Sequence, residues 1–209
     1  MPKDTYHHGD LKNALIKAGI DILSKEGTSG LSLRKAARQA GVSHAAPYAH
    51  FDDKQALVAA IAAQGYRLLY EQITGVVRAY PDDPLSQLVE AAWAYVHFAQ
   101  DDPAHFKITF SGFVENEANY PELVEMTHKS FEGVKQIVER CQSAGFLDQG
   151  PSDVAAVGVW SQVHGLASLM LAGQISHTVL ERLQLKELML AGLQPLVRAP
   201  ILLKDKEPN

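Results

Sequence analysis

Apolar residues recur along this chain at helical rather than strand spacing. Leu11, Leu15, Ala18 and Ile22 follow one another at steps of four, three and four, the stripe an amphipathic helix turns toward a core. They predict a helix over 10–26 that stops at Gly27. Ser32 can cap a second helix in which Leu33, Ala36, Ala37 and Ala40 face inward while Arg34, Lys35 and Arg38 stay solvated. Gly41 ends it, because glycine adopts the left-handed conformation at a helix C-terminus without a Cβ penalty. Ser43 then caps a third helix over 43–51, where Pro47 falls at the fourth helical position and forfeits only the first backbone bond, so the helix is expected to tolerate it. A long helix is expected over 53–80, with Leu57, Ile61, Leu68 and Ile73 buried and the Pro81 to Pro84 segment as its stop. Further helices are expected over 84–100, 104–110, 121–144, 152–172 and 183–197, each bounded by Pro, Gly or Asp-rich punctuation. Strand alternation and hairpin signals are missing. The fold class is therefore all-α: a three-helix N-terminal domain over 1–52, joined by the long helix to a larger helical domain over 53–203, with a solvated tail over 204–209.

Charge divides the chain as the helices do. Residues 1–67 hold nine Lys or Arg against six Asp or Glu, while the remainder holds ten against eighteen. A basic head on an acidic body suits a polyanion met by the N-terminal third alone. A length of 209 residues with 46% hydrophobic composition supplies a sizeable core. Cys141 is the single cysteine, so no intramolecular disulfide forms and no Cys-based zinc site exists. The opening MPKDTYHHGDLKNALI has no apolar stretch of signal-peptide type, and the expected compartment is the cytoplasm.

Two short helices around a glycine turn, with basic and hydroxyl groups on one side, are the pattern of a DNA-binding helix-turn-helix; the bland alternative is two surface helices with ordinary solvated charges. His44, Ala45 and Ala46 would face base edges, Tyr48 and His50 suit phosphate, and Lys54 opens the next helix, where backbone N–H groups attract the same anion. The run from Ser32 to Lys54 resembles the tetracycline-repressor (TetR) family of transcriptional regulators in Ser32, Leu33, Ala40-Gly41-Val42-Ser43, Tyr48, His50-Phe51 and Lys54. The resemblance places phosphate contacts on Ser32, Ser43, Tyr48 and Lys54, and base contacts on His44, Ala45 and the edge around Arg34, beside Lys35. The family's usual Gly-x-Leu before the tyrosine is here Ala45-Ala46-Pro47. Trp160, His164 and Gly165 also look like the signature of the family's WHG-type C-terminal domains, and Tyr6 to Leu11 is similar to openings seen there.

Residues 154–179 carry no Asp, Glu, Lys or Arg, but the polar interruptions Ser161, Gln162, His164 and Gln174 argue for a buried helix rather than a membrane span. Its small face, Gly158, Ser161, Gly165, Ser168 and Ala172, admits a close helix. The last helix offers Leu185, Leu188, Met189, Leu193 and Leu196. Two such faces meeting their own copies predict a homodimer through a four-helix interface, the alternative being that both helices only complete the subunit core. The resemblance implies the dimer as well.

Between these regions lie Trp93, His97, Phe106, Phe110, Phe113, Met126, Phe131, Trp160 and His164, with Tyr95, Phe98 and His128 nearby. Large flat side chains with few polar tips suit a cavity for a small apolar or aromatic effector, with His97, His128 or His164 as orienting groups, although aromatic stripes at helical spacing also build plain core. The resemblance implies an effector. Histidines on different segments, with no His-x-x-x-His, give no metal site, and no cofactor is expected. A nucleophile elbow, a zinc-protease motif and a phosphate loop are all missing, so no catalytic residue is assigned. The expected function is a ligand-responsive regulator, a repressor, on a pseudo-palindromic double-stranded DNA operator. Its rivals are a DNA-binding protein without effector and a small helical enzyme using the aromatic pocket.

Overall fold

The computed structural model describes residues 8–201, with side chains from Leu11 onward; the 204–209 tail and the start of the Tyr6 to Leu11 motif lie outside the described residues. The chain is all-α. Its helices are α1 (His8–Gly30), α2 (Leu33–Gln39), α3 (Lys54–Ala79), α4 (Pro84–Asp101), α5 (Pro103–Thr109), α6 (Pro121–Ser143), α7 (Ser152–Leu171), α8 (His177–Leu180) and α9 (Leu185–Leu193). They form two compact units, Met1–Leu68 with Asp102–His128, and Leu69–Asp101 with Lys129–Asn209.

In the first unit, α1 carries Leu15 and Ile22 into a core shared with Leu33 and Ala36 of α2 and with Leu57 and Ile61 of α3. Gly27 breaks α1 at φ 67°, ψ −169°, a conformation open to glycine. Along α3 the buried row runs at strict steps of four through Leu57, Ile61, Gly65, Leu69 and Ile73. Leu68, expected inside, is therefore 38% exposed. Gly65 is the reason α5 can lie so near: a Cβ built there would stand 2.0 Å from Thr109 Oγ1 and 2.9 Å from Thr109 Cβ. Thr109 is itself buried and donates its hydroxyl to the His105 carbonyl at 2.9 Å, while the buried His105 ring bridges through Nε2 to the Ile61 carbonyl at 2.9 Å. Gly65→Ala is expected to destabilise the protein by about 2 kcal/mol through overpacking. Thermal denaturation would show a fall of several degrees, and Thr109→Ala in the same chain should recover most of it; an unchanged melting temperature would refute the close approach.

In the second unit, α4 and α7 pack on each other and α9 on both. Val96 of α4, Ile137 and Val138 of α6, Val159 and Val163 of α7, and Met189 and Leu193 of α9 share its core. The final helix is shorter than the expected 183–197, ending at Leu193 and passing into a 3-10 turn over Gln194–Leu196. Pro195 supplies no N–H for another α-helical bond, and its ring would crowd the Ala191 carbonyl. Helix α8 was not legible from periodicity, being a single turn of four residues.

Candidate functional site

The glycine turn forms as its sequence requires. Ser32 has extended backbone (φ −147°, ψ 154°), and its hydroxyl oxygen accepts the Lys35 N–H at 3.2 Å, capping α2. Gly41, at φ 71°, closes the other end: its N–H reaches the Arg38 carbonyl at 3.2 Å and that of Val42 the Ala37 carbonyl at 3.0 Å, the paired bonds of a Schellman motif.

The third helix departs from expectation. Instead of an α-helix over 43–51 there is one 3-10 stretch, Ala46–Ala49, with no side-chain cap, so Ser43 is not an N-cap. Pro47 lacks the N–H that the first α-helical bond to Ser43 needs, and it disfavours helical backbone at Ala46. The chain takes three-residue spacing instead, Ala46 N–H to Ser43 at 3.0 Å and Tyr48 N–H to Ala45 at 3.2 Å. Pro47 thus reshapes this segment rather than being absorbed.

Ser32, Arg34, Ser43, His44, Ala45 and Tyr48 are all exposed, Tyr48 by 54%. His50 is half-buried, its ring 6.2 Å from that of Phe51. The two lysines behave differently. Lys35 is ion-paired with Glu26 across the Gly27 break, which neutralises the charge expected to face a phosphate. Lys54, the first residue of α3, donates to the neutral Thr28 carbonyl at 3.4 Å, and no carboxylate among the described residues pairs with it. Asp53 accepts the Ala56 N–H at 2.8 Å and so caps the same helix end. Further along the unit, Glu122 receives both Lys12, at 3.0 Å, and Arg67. Burial pushes its carboxyl up, but the two cationic hydrogen bonds outweigh that and hold it below its ordinary value.

The second unit encloses a small apolar cavity. Leu69, Gln72 and Ile73 of α3, Leu88, Ala91, Ala92, Ala94 and Tyr95 of α4, Val134 and Ile137 of α6, and Val159, Trp160 and Val163 of α7 line it. Its volume is about 50 Å³, room for a few waters but well below the roughly 300 Å³ of ordinary ligand pockets. Of the nine aromatic, histidine and methionine residues expected to line a pocket, Trp160 borders this cavity, and the other eight are not among its lining residues. Phe106 and Met126 are buried in the first unit, where Phe106 packs against Phe110 at 4.8 Å between ring centres, and Phe113 is exposed. Trp93 meets His97 edge-on at 5.3 Å, and exposed His97 pairs with Asp101 at 2.9 Å. Phe131 packs on the second core, and His128 is exposed.

His164 reaches the cavity wall through another side chain. Tyr95 Oη lies 2.6 Å from His164 Nδ1 and accepts the Trp160 Nε1–H at 3.2 Å. Burial depresses the His164 pKa below its usual value, leaving the ring neutral at pH 7. Sequence reasoning named Tyr95 but missed the rest of the α3, α4 and α6 lining; the one further signal was the cluster of small residues Ala91, Ala92 and Ala94 beside Tyr95. Burial pushes the Cys141 thiol up to about 12, which removes a thiolate nucleophile.

The α7 face expected to meet a second copy is open. Nothing stands within 4 Å of a Cβ built on Gly158 or Gly165; Gly158, Ser161 and Ser168 are exposed, and Val154, Val157, Trp160 and Leu169 add apolar area to that helix. By length and composition α7 is apolar enough to cross a membrane, yet it packs on α4 and α9. Between α7 and α9 runs a groove of about 260 Å³ lined by Gly165, Leu166, Leu169, Leu188 and Gly192. Leu185 and Leu188 are half-buried and Leu196 is 38% exposed, but Met189 and Leu193 are 2% and 0% exposed. Met189 and Leu193 also line that groove, at its floor, and with Leu190 they form the buried side of α9.

Two family models match. One, for the C-terminal domain of tetracyclin repressor-like proteins, covers residues 88–193, and one for bacterial regulatory proteins of the tetR family covers residues 15–61. Among curated proteins, an uncharacterized HTH-type transcriptional regulator, YobS of Bacillus subtilis (strain 168), is 28% identical over 47% of this chain and 51% of its own length. The tetracycline repressor protein class A from transposon 1721 of Escherichia coli is 37% identical over 40% of this chain. The match spans about half of the first protein and 37% of the second. A solved structure of a protein with unknown function from Rhodococcus sp. RHA1 superposes with a TM-score of 0.76 at 31% identity, covering 93% of this chain and 97% of that one.

Proposed function

The chain belongs to the TetR family of DNA-binding transcriptional regulators, and from that premise we propose that it is a homodimeric repressor released or modulated by a small, largely apolar effector. Residues 1–52 act as the DNA-contacting head and 53–203 as the effector and dimerisation body, working in the cytoplasm. The observation that carries the DNA reading is the α2 turn. A capped helix, a left-handed glycine and a 3-10 segment leave Ser32, Arg34, Ser43, His44, Ala45 and Tyr48 exposed together on the basic third of the chain.

The homodimer is supported by the open glycine face of α7 and the groove beside it. Two copies would set two heads on successive major-groove faces, about 34–36 Å or a multiple of the helical turn apart. The repressor role is supported by the relative named a tetracycline repressor. The effector reading is supported by the cavity, because α3 runs unbroken from Lys54 at the head to Leu69, Gln72 and Ile73 on the cavity wall. A molecule filling that cavity would displace α3, and the coupling between effector and operator would amount to roughly 1 to 3 kcal/mol.

Selection of bound fragments from random duplex DNA tests the proposal. Recovery of a two-fold symmetric site supports both DNA reading and dimer, whereas recovery of no common sequence sinks them. The small volume of the cavity favours a second reading, a regulator without effector, and operator affinity unmoved by every small molecule that binds the protein would select it.

A further inference from the structure

The segment after the glycine turn is poor in the groups that pair with bases. Residues 43–50, SHAAPYAH, include no Arg, Lys, Asn, Gln, Asp or Glu. Bidentate pairing needs Arg or Lys for guanine and Asn or Gln for adenine, so neither can come from this segment. Arg34, Arg38 and Gln39 are exposed on α2, and any such pairing is left to that helix.

What the segment presents is set by its register. Side chains three apart eclipse in a 3-10 turn, and the bonds from the Ala46 N–H to Ser43 and from the Tyr48 N–H to Ala45 impose that spacing. Pro47 is buried and fixes the inward edge. The rows on either side of it are Ala45 with Tyr48 and Ala46 with Ala49. Ala45, Tyr48 and Ala49 are exposed and Ala46 is half-buried, so the outward surface of the turn is three methyl groups and one phenol. Ser43 and His44, also exposed, precede it.

A methyl side chain cannot sense a donor or an acceptor. It discriminates between base pairs by packing, and the one apolar group that any base pair shows in the major groove is the thymine C5-methyl. Short side chains also let the backbone approach the base edges. Ala45 adjoins His44, whose exposed ring can add a hydrogen bond at the neighbouring base pair. Resting on the DNA reading above, we propose that this head recognises its operator through thymine methyl groups, with Ala45 packing on the C5-methyl of one thymine in each half-site. Cytosine at that position keeps a pyrimidine but offers no methyl, and the contact is lost.

The test uses the full-length protein and the duplex recovered by selection from random DNA, remade with deoxyuridine for thymidine at one position of both half-sites at a time. Uracil pairs as thymine does and keeps its major-groove oxygen, so the methyl alone is removed. At one position the affinity, read by fluorescence anisotropy, is expected to fall about fourfold for each half-site and about fifteenfold for the two, the effect of burying one methyl group at each. Ala45→Gly should weaken binding to the thymidine duplex and abolish the difference between thymidine and deoxyuridine there, which a general effect of uracil on duplex shape would not do. Half-sites without thymine, or equal affinity for deoxyuridine at every position, would overturn the inference and leave operator recognition standing. A thymidine preference that survives Ala45→Gly would overturn the assignment to Ala45. Recovery of no common sequence would overturn the DNA reading on which the inference rests.

Discussion

Leu169→Asp is expected to keep the proposed homodimer from forming and, with it, to abolish high-affinity operator binding, without unfolding the subunit. Leu169 is 45% exposed and lines the groove between α7 and α9, so in the isolated subunit a carboxylate there stays hydrated. In a two-fold interface the same substitution appears twice. Each charge would be desolvated with no cation beside it, at several kcal/mol apiece, and the dimer dissociation constant should rise by at least about a thousandfold. Light scattering and sedimentation at micromolar concentration would report the mass, and gel shift the operator affinity. Retention of the helical circular dichroism spectrum separates dissociation from unfolding. A Leu169→Asp protein that remains dimeric would place the interface elsewhere.

The course of the helices was legible because their punctuation is local. Ser32 and Gly41 bound α2 through bonds to residues three to five positions away, and such signals need no knowledge of the rest of the molecule. The helix expected over 43–51 failed for an equally local reason, Pro47, whose missing N–H was counted as one lost bond when it removed the bond that starts the helix. Tertiary facts were less accessible. Gly65 sits in the buried row of α3, but glycine contributes nothing to a hydrophobic pattern, so the row was read through Leu68 instead of Leu69. Lys35 looked like a free cation because Glu26, its partner, lies on the far side of a break in α1.

The cavity was the least legible part. Trp93, Phe106, Phe110, Met126, Phe131 and Trp160 are alike in hydropathy, yet the chain distributes them between two separate units. Which aromatic fills a core and which borders a void depends on the side chains opposite it, and a void is marked by small residues such as Ala91, Ala92 and Ala94 rather than by large ones. Periodicity likewise found the apolar positions of α9 but could not say which are buried within the subunit, as Met189 and Leu193 are, and which stay partly open, as Leu185 and Leu188 do.

The pairing of Lys35 leads to a contrast between two lysines of equal formal charge. Lys54→Ala is expected to weaken binding to all duplex DNA, specific and random alike, on the order of a hundredfold. Among the described residues its ammonium donates only to the Thr28 carbonyl, and it stands at the N-terminus of α3, where backbone N–H groups favour the same phosphate. A charge-assisted contact of about 1.5 kcal/mol, made once by each subunit, gives about 3 kcal/mol in the proposed dimer. The dependence of log affinity on log salt should flatten by about two, since each lost phosphate contact removes about 0.9 from the slope. Lys35→Ala should change neither quantity by more than a few fold, because the ammonium it removes is already neutralised by Glu26. Fluorescence anisotropy titrations of one operator duplex and one random duplex, at several salt concentrations, measure both. Equal slopes for wild type and Lys54→Ala would remove Lys54 from the phosphate contacts. A Lys35→Ala slope as flat as that of Lys54→Ala would mean that DNA displaces Glu26 and restores Lys35 to the interface.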